Sequence, residues 1–145
     1  VVREEKKEAL RQLGADHVFN HNQDDVAAEV RKIAPVGVDL ILDYVGPATF
    51  QKSFDLLKKG GRMLLCGILT GRETNFSIHQ AYLRHLSVKG LYLGTKDEMR
   101  ELILLADAGD VNPLISVTLP LAEAPRAHEM MAKGDQLGKL VLKPQ

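Results

Sequence analysis

The stretch from residue 37 to residue 67 constrains the fold most, because its pattern predicts a strand, a helix and a second strand in succession. Residues 38–42 (VDLIL) form a nearly continuous apolar run, which is typical of a strand covered on both faces. Apolar side chains recur at helical spacing across residues 47–57, and the glycine pair 60–61 predicts the end of that helix. Residues 63–66 (MLLC) predict a second buried strand. A helix that crosses between two buried strands is the βαβ unit of a parallel sheet.

The ends of these two strands are where we look for function. In open parallel sheets, ligands bind beyond the carboxyl ends of the strands. Those ends correspond here to residues 43–46 (DYVG) and 66–69 (CGIL). If the two segments lay at opposite ends of the sheet, a shared ligand cleft would not exist.

Composition excludes several classes of function. The chain has 145 residues, with 19 basic and 19 acidic side chains, so no charge excess favours binding to nucleic acid or to a membrane surface. The single cysteine, Cys66, excludes an internal disulfide and a cysteine-cluster metal site, and it fits a cytoplasmic protein. The five histidines lack the spacing of metal ligands. No apolar run approaches the roughly 20 residues that a membrane helix needs.

The rest of the chain continues the alternation of helices and strands, which predicts a doubly wound α/β domain with a parallel sheet. The predicted helices are 4–13, one that begins at Asp24 or Asp25 and ends before Pro35, 77–83, 96–108 and 121–133; the predicted strands are 1–2, 17–19, 87–93, 111–119 and 138–142.

Several motifs, in their order and spacing, resemble the nucleotide-binding domain of the medium-chain dehydrogenase/reductase superfamily, which includes zinc alcohol dehydrogenases and zinc-free quinone oxidoreductases. They are LGADHVFN (13–20), GVDLILDYVG (37–46), LLKKGGRMLLCG (56–67), LYLGTKDEMREL (91–102), GDVNPLI (109–115), PLAEAPRAHEMM (120–131) and GKLVL (138–142). The resemblance implies a Rossmann-like fold. It also implies part of an enzyme that transfers hydride between NADPH and a carbonyl, quinone or enone substrate.

Two parts of the family pattern are missing from this sequence. The first strand with its glycine-rich turn is absent, as is the N-terminal catalytic domain, so residues 1–145 read as a partial dinucleotide-binding domain truncated at its N-terminal βαβ unit. We expect the isolated chain to be inactive, and we expect any zinc to be bound outside it. One alternative is a folded dimerisation or interaction module that binds no nucleotide. Another is a methyltransferase, which would need an acidic residue where Val1 stands.

The resemblance favours NADPH over NADH. Enzymes that prefer NAD place a carboxylate at the end of the second strand, where this chain has Val1. Arg3 and Lys6 follow closely, and in the quinone-reductase branch a lysine at the position of Lys6 meets the 2′-phosphate. His21 matches a position that is often a tyrosine near the same phosphate. The alternative is that Arg3, Lys6 and Lys7 merely form a solvated helix start.

The remaining site residues are also assigned by resemblance. Val45 and Gly46 correspond to the loop on the adenosine side; Cys66, Gly67 and Ile68 to the loop that reaches the nicotinamide; Leu93 and Gly94 to the border of the nicotinamide pocket; and Lys139 to the cofactor cleft. The alternatives are, in the same order, a turn that needs glycine at position 46, core packing of Cys66, a role for the neighbouring Thr95 as N-cap of the helix that begins at Lys96, and a solvated Lys139. No catalytic residue is assigned, and Asp43 is expected to bond the start of the next helix. Relatives pair the strand equivalent to 87–93, so we predict a homodimer through that edge.

Overall fold

A computed structural model describes residues 3–134 and 136–144 of the chain. The fold is α/β with parallel strands and is Rossmann-like, as the sequence predicts. The chain divides into two compact units, Val1–Leu93 and Gly94–Gln145, which are described separately below. The predicted strand at residues 1–2 lies outside the described residues.

The first unit contains a three-stranded parallel sheet in the order β1-β2-β3. Its elements are a 3₁₀ turn at Glu4–Lys6, α1 (Lys7–Gln12), α2 (Val26–Ile33), β1 (Val38–Asp43), α3 (Pro47–Leu56), β2 (Leu57–Leu65), α4 (Ile78–Leu83) and β3 (Ser87–Gly90). The predicted βαβ unit is therefore confirmed. Asp25 caps α2 and Ser77 caps α4, each by accepting a hydrogen bond from a backbone N–H in the first helical turn.

The core of this unit lies between α3 and the sheet. Phe50, Phe54, Leu57 and Met63 form one buried cluster, with the rings of Phe50 and Phe54 stacked 5.9 Å apart. Pro47 stands in the first turn of α3, where its fixed φ favours the helix and its missing N–H costs nothing.

Two expectations for the βαβ unit are wrong in detail. Leu40 and Leu42 are 47% and 57% exposed, so β1 is covered on one face only. Residue 57 belongs to β2, and the glycine pair 60–61 lies inside that strand and does not end the helix. The pairing register explains this: Val38 pairs with Leu57, but Leu40 pairs with Arg62. The additional β2 residues bulge out between these pairs.

Three other strand predictions also need correction. The strand predicted at residues 111–119 begins only at Ile115. Residues 17–19 form no strand within the described part of the chain, and only Asn20 makes a single bridge. The predicted strand 87–93 ends at Gly90, and Leu91 adds one further bond from its N–H to the carbonyl oxygen of Leu65. Apolar content therefore predicted a longer strand than the ladder supports.

The second unit contains a parallel strand pair joined by a helix. Its elements are α5 (Lys96–Asp107), β4 (Ile115–Pro120), a 3₁₀ turn at Leu121–Glu123, α6 (Ala124–Lys133) and β5 (Lys139–Lys143). Leu119 and Ala127 are its buried residues among those described. Thr95 caps α5 in a reciprocal capping box with Glu98, which confirms one reading of that threonine.

The apolar side of α5 is partly exposed. Met99, Leu102 and Ile103 recur at core spacing, yet each is about half exposed, at 56%, 47% and 48%. Sequence spacing predicts which helix face is apolar but does not predict what covers it.

Candidate functional site

The carboxyl ends of β1 and β2 lie side by side at one edge of the sheet, as predicted. Asp43 pairs in register with Leu65, and the N–H of Cys66 donates to the carbonyl oxygen of Asp43 at 3.0 Å. We call residues 43–46 and 66–70 together the strand-end surface. It is the place where a parallel sheet of this kind binds ligands.

Asp43 organises the first half of the strand-end surface. Its buried carboxylate accepts hydrogen bonds from the N–H groups of Val45 (2.8 Å) and Gly46 (2.9 Å) and from the hydroxyls of Thr49 (2.7 Å) and Ser53 (3.4 Å). Burial raises the pKa of Asp43, but these four bonds favour the ionised form and hold the pKa below its ordinary value. The expectation that Asp43 bonds the start of the next helix is confirmed.

Two glycines let the halves of the strand-end surface come together. Gly46 caps α3 with φ +94° and ψ −140°, a conformation that side chains disfavour. A Cβ at Gly67 would overlap the carbonyl oxygen of Tyr44, so that loop can approach its neighbour only with glycine at this position. Both glycines are thus required by the protein's own geometry, and their contacts with a cofactor stay predictions.

Thr70 is a residue of this surface that sequence reasoning missed. Its N–H and its hydroxyl both donate to the carbonyl oxygen of Val45, at 3.0 and 2.9 Å. The same hydroxyl accepts a hydrogen bond at 3.1 Å from the N–H of Ala48 in the first turn of α3. These partners lie 22 and 25 residues away in sequence, so no local motif signals them.

The strand-end surface carries exposed apolar side chains. Tyr44, Ile68 and Leu69 are 54%, 60% and 78% exposed. Cys66 is exposed as well, so its predicted place in a buried strand is wrong, because β2 ends one residue earlier at Leu65. Its thiol lies 3.8 Å from the carbonyl oxygen of Asp43. Exposed apolar side chains are suited to contact with a flat ring.

A second polar network joins the start of the chain to the turn before α2. The Glu4 carboxylate accepts from the side-chain amide of Asn20 at 3.1 Å, and the Lys7 ammonium pairs with Glu4 at 3.0 Å and with Asp24 at 3.4 Å. The Lys7 side chain is only 17% exposed, so the reading of it as a solvated residue is wrong. Arg3 immediately precedes Glu4 in sequence, and His21 immediately follows Asn20. Both residues are exposed.

The charges in this network stabilise one another. The hydrogen bond to Glu4 is the main reason that the pKa of Lys7 is raised. Lys7 and then Asn20 lower the pKa of Glu4, and the N–H of Asn20 is the first cause of the lowered pKa of Asp24. All three groups are therefore charged near neutral pH, and they hold residues 3–7 against the turn at residues 20–24.

Three further residues, Leu93, Gly94 and Lys139, were also predicted to be site residues. Leu93 follows β3 at the end of the first unit and is exposed. Gly94 and Lys139 belong to the second unit, where the Lys139 N–H donates to the carbonyl oxygen of Leu114 at 2.8 Å. Their roles near a cofactor stay predictions.

Residues 3–134 and 136–144 carry neither a candidate metal site nor a candidate membrane span. Within these ranges, no group of three or more His, Cys, Asp or Glu side chains could hold a metal ion. None of the helices described there has the length and apolar character needed to span a membrane.

Comparison with known proteins gives a consistent result. A family model described as zinc-binding dehydrogenase matches residues 13–142. A 2-haloacrylate reductase of Burkholderia sp. is 32% identical and covers 100% of this chain but 47% of its own length. An NAD-dependent alcohol dehydrogenase of Saccharolobus solfataricus is 31% identical, covering 99% of this chain and 42% of that protein.

Solved structures agree with these sequence comparisons. The crystal structure of the alcohol dehydrogenase from the hyperthermophilic archaeon Aeropyrum pernix superposes with a TM-score of 0.86 at 32% identity, covering 99% of this chain and 41% of that one. The chain therefore spans less than half the length of each of these relatives, and all three are named as oxidoreductases.

Proposed function

This chain belongs to the medium-chain dehydrogenase/reductase superfamily, and from that premise we propose that it is the cofactor-binding part of an oxidoreductase. The enzyme would transfer hydride between NADPH and a carbonyl, quinone or enone substrate. The observation that carries the proposal is the strand-end surface, in which two loops meet at the carboxyl edge of a parallel sheet.

The residues of this surface have different expected tasks. Val45 and Gly46, fixed by the Asp43 carboxylate, would present backbone to the adenosine side of the cofactor. Cys66, Gly67 and Ile68 would border the nicotinamide. The cofactor itself supplies the hydride chemistry when bound. The chain's own contribution would be to orient the dinucleotide and, through exposed apolar side chains such as that of Ile68, to exclude water from one side of it.

The preference for NADPH rests on the residues around the second polar network. Arg3 and Lys6 supply cations, and His21 a polar ring, beside segments that the Glu4–Asn20 and Lys7–Asp24 contacts hold together. A dianionic 2′-phosphate is bound well by such cations. Lys7 offsets part of the negative charge of Glu4 and Asp24, which would otherwise repel the phosphate.

Isothermal titration of this chain with NADPH and with NADH tests the proposal. We expect tighter binding of NADPH, and we expect Lys6→Met to remove most of that difference. Lys59→Met is the matched control, because Lys59 is an exposed lysine in β2 at the end far from the strand-end surface. Equal affinity for the two cofactors would contradict the NADPH preference. Binding of neither would contradict the cofactor-binding role.

The second candidate function is a dimerisation module that binds no nucleotide. It is favoured by β3, an outer strand whose four residues are all exposed, and by Leu91 beyond it, which is 40% exposed. An outer strand of this kind can pair with its copy across a two-fold axis and extend the sheet. Dimerisation together with no response to either cofactor would favour this candidate over the first.

The zinc of the family's description has no part in either proposal. The described donor side chains do not fit a zinc site. We propose that zinc, if the enzyme uses it, is bound by residues outside this chain.

A further inference from the structure

Helix α3 follows directly after the first loop of the strand-end surface, and its first turn is capped by a side chain that is distant in sequence. The N-cap position of α3 is Gly46, whose positive φ excludes the Ser, Thr, Asp or Asn that would ordinarily bond the first turn. The N–H of Ala48 instead donates to the hydroxyl of Thr70, which lies in the loop after β2. Thr70 therefore satisfies a helix-end donor that the local sequence leaves without an intrahelical partner.

The same hydroxyl also binds the neighbouring loop. It donates to the carbonyl oxygen of Val45, and the Thr70 N–H donates to that oxygen too. One side chain thus accepts from the helix and donates to the loop that precedes it. The three bonds join the loop expected on the nicotinamide side to the loop expected on the adenosine side.

We propose that Thr70 is a positioning residue for the cofactor, which holds residues 66–70 in fixed relation to residues 43–46. The inference rests on the proposed function, because it concerns how one dinucleotide reaches both loops. When the two loops are already ordered, binding does not cost the entropy of ordering them. The affinity for the whole dinucleotide therefore depends on the Thr70 hydrogen bonds that join the loops. A ligand that touches only one loop gains nothing from it.

Thr70 can be altered without disturbing the core. It is exposed, and the buried cluster of Phe50, Phe54, Leu57 and Met63 does not include it. Thr70→Val has nearly the same shape and removes only the hydroxyl, while its backbone N–H can still donate to Val45. Thr70→Ser keeps the hydroxyl and is the matched control. A urea unfolding curve for each variant establishes that the fold is retained.

The test combines two measurements on the full chain. Hydrogen exchange without cofactor should show the Ala48 amide exchanging on the order of tenfold faster in Thr70→Val, since a hydrogen bond contributes about that factor. Isothermal titration should show NADPH binding weakened on the order of tenfold in Thr70→Val and within about twofold of the unsubstituted chain in Thr70→Ser. Adenosine 2′,5′-bisphosphate, which lacks the nicotinamide half, should bind all three chains within about twofold.

The outcomes separate this inference from the proposed function. Weakened binding of NADPH alone, restored by serine, supports the positioning role. Equal NADPH affinity in Thr70→Val and the unsubstituted chain overturns it and leaves the proposed function standing. An equal loss for both ligands also overturns it, because the effect would then be general. If the unsubstituted chain binds no dinucleotide, both proposals fail, whatever the exchange rates show.

Discussion

Replacing Asp43 should destabilise the chain more than any surface substitution on the same strand. Asp43→Ala removes the acceptor of four hydrogen bonds, two of them from the backbone N–H groups of Val45 and Gly46. A buried donor left without a partner costs about 1–3 kcal/mol, so we expect a loss of about 2–5 kcal/mol in the free energy of unfolding. Asp43→Asn keeps one oxygen for both N–H groups and should lose about 1–2 kcal/mol.

The assay is urea unfolding followed by far-ultraviolet circular dichroism near neutral pH. Asp39→Asn is the control in β1, because Asp39 is 77% exposed and forms only a surface ion pair with Lys58 among the described contacts. Such pairs contribute at most about 1 kcal/mol, so the control should stay within that range. If Asp43→Ala lost no more stability than Asp39→Asn, the proposed role of the carboxylate in fixing the loop would be wrong.

The effect of Asp43 should also depend on pH. Burial raises the pKa of this carboxyl, but its four hydrogen bonds outweigh burial and lower the pKa below the ordinary value of 3.8. A lowered pKa in the folded state means that the contribution is complete above the unfolded-state pKa and is lost as pH falls through the folded value. The stability difference between the unsubstituted chain and Asp43→Asn should therefore shrink below about pH 4. A constant difference down to about pH 2 would contradict this reasoning.

Three further substitutions test other parts of the structure. Gly67→Ala should cost about 1–3 kcal/mol of unfolding free energy, because the new Cβ would overlap Tyr44, whereas Gly90→Ala, with open space around it, should be nearly neutral in the same urea assay. Thr95→Ala should cost about 1 kcal/mol by removing the cap of α5, and circular dichroism should detect earlier helix loss on heating. Leu91→Lys should convert a dimer to a monomer in sedimentation velocity if the β3 edge pairs, and an unchanged dimer would place the contact elsewhere.

The βαβ unit could be predicted because its signals are local. Proline at the first turn of α3, two phenylalanines one helical turn apart and an aspartate at the end of β1 each act within a few residues of themselves. The side-chain caps at Asp25, Ser77 and Thr95 have the same character. Parallel pairing then follows from the crossover helix, and it brings the two strand ends to one edge without further information.

The features that sequence reasoning missed depend on distant parts of the chain. Thr70 acts on Val45 and Ala48, and nothing near it in sequence indicates either partner. The exposure of Cys66 depends on where the ladder to β1 stops, which apolar content does not reveal. Likewise, the amphipathic pattern of α5 predicts an apolar side but not its surroundings. These three features depend on pairing register and tertiary contacts, and neither can be predicted from a short stretch of sequence.

The three-stranded sheet has a second outer strand, β1, on the side opposite β3. The uncovered face of β1 carries Leu40 and Leu42, and the free edge of an outer strand readily pairs with strands of other molecules. We therefore expect the purified chain to aggregate through β1 at high protein concentration, independently of any specific pairing through β3. A dilution series and the substitution Leu40→Lys should both reduce this aggregation, so that it is not mistaken for a native dimer.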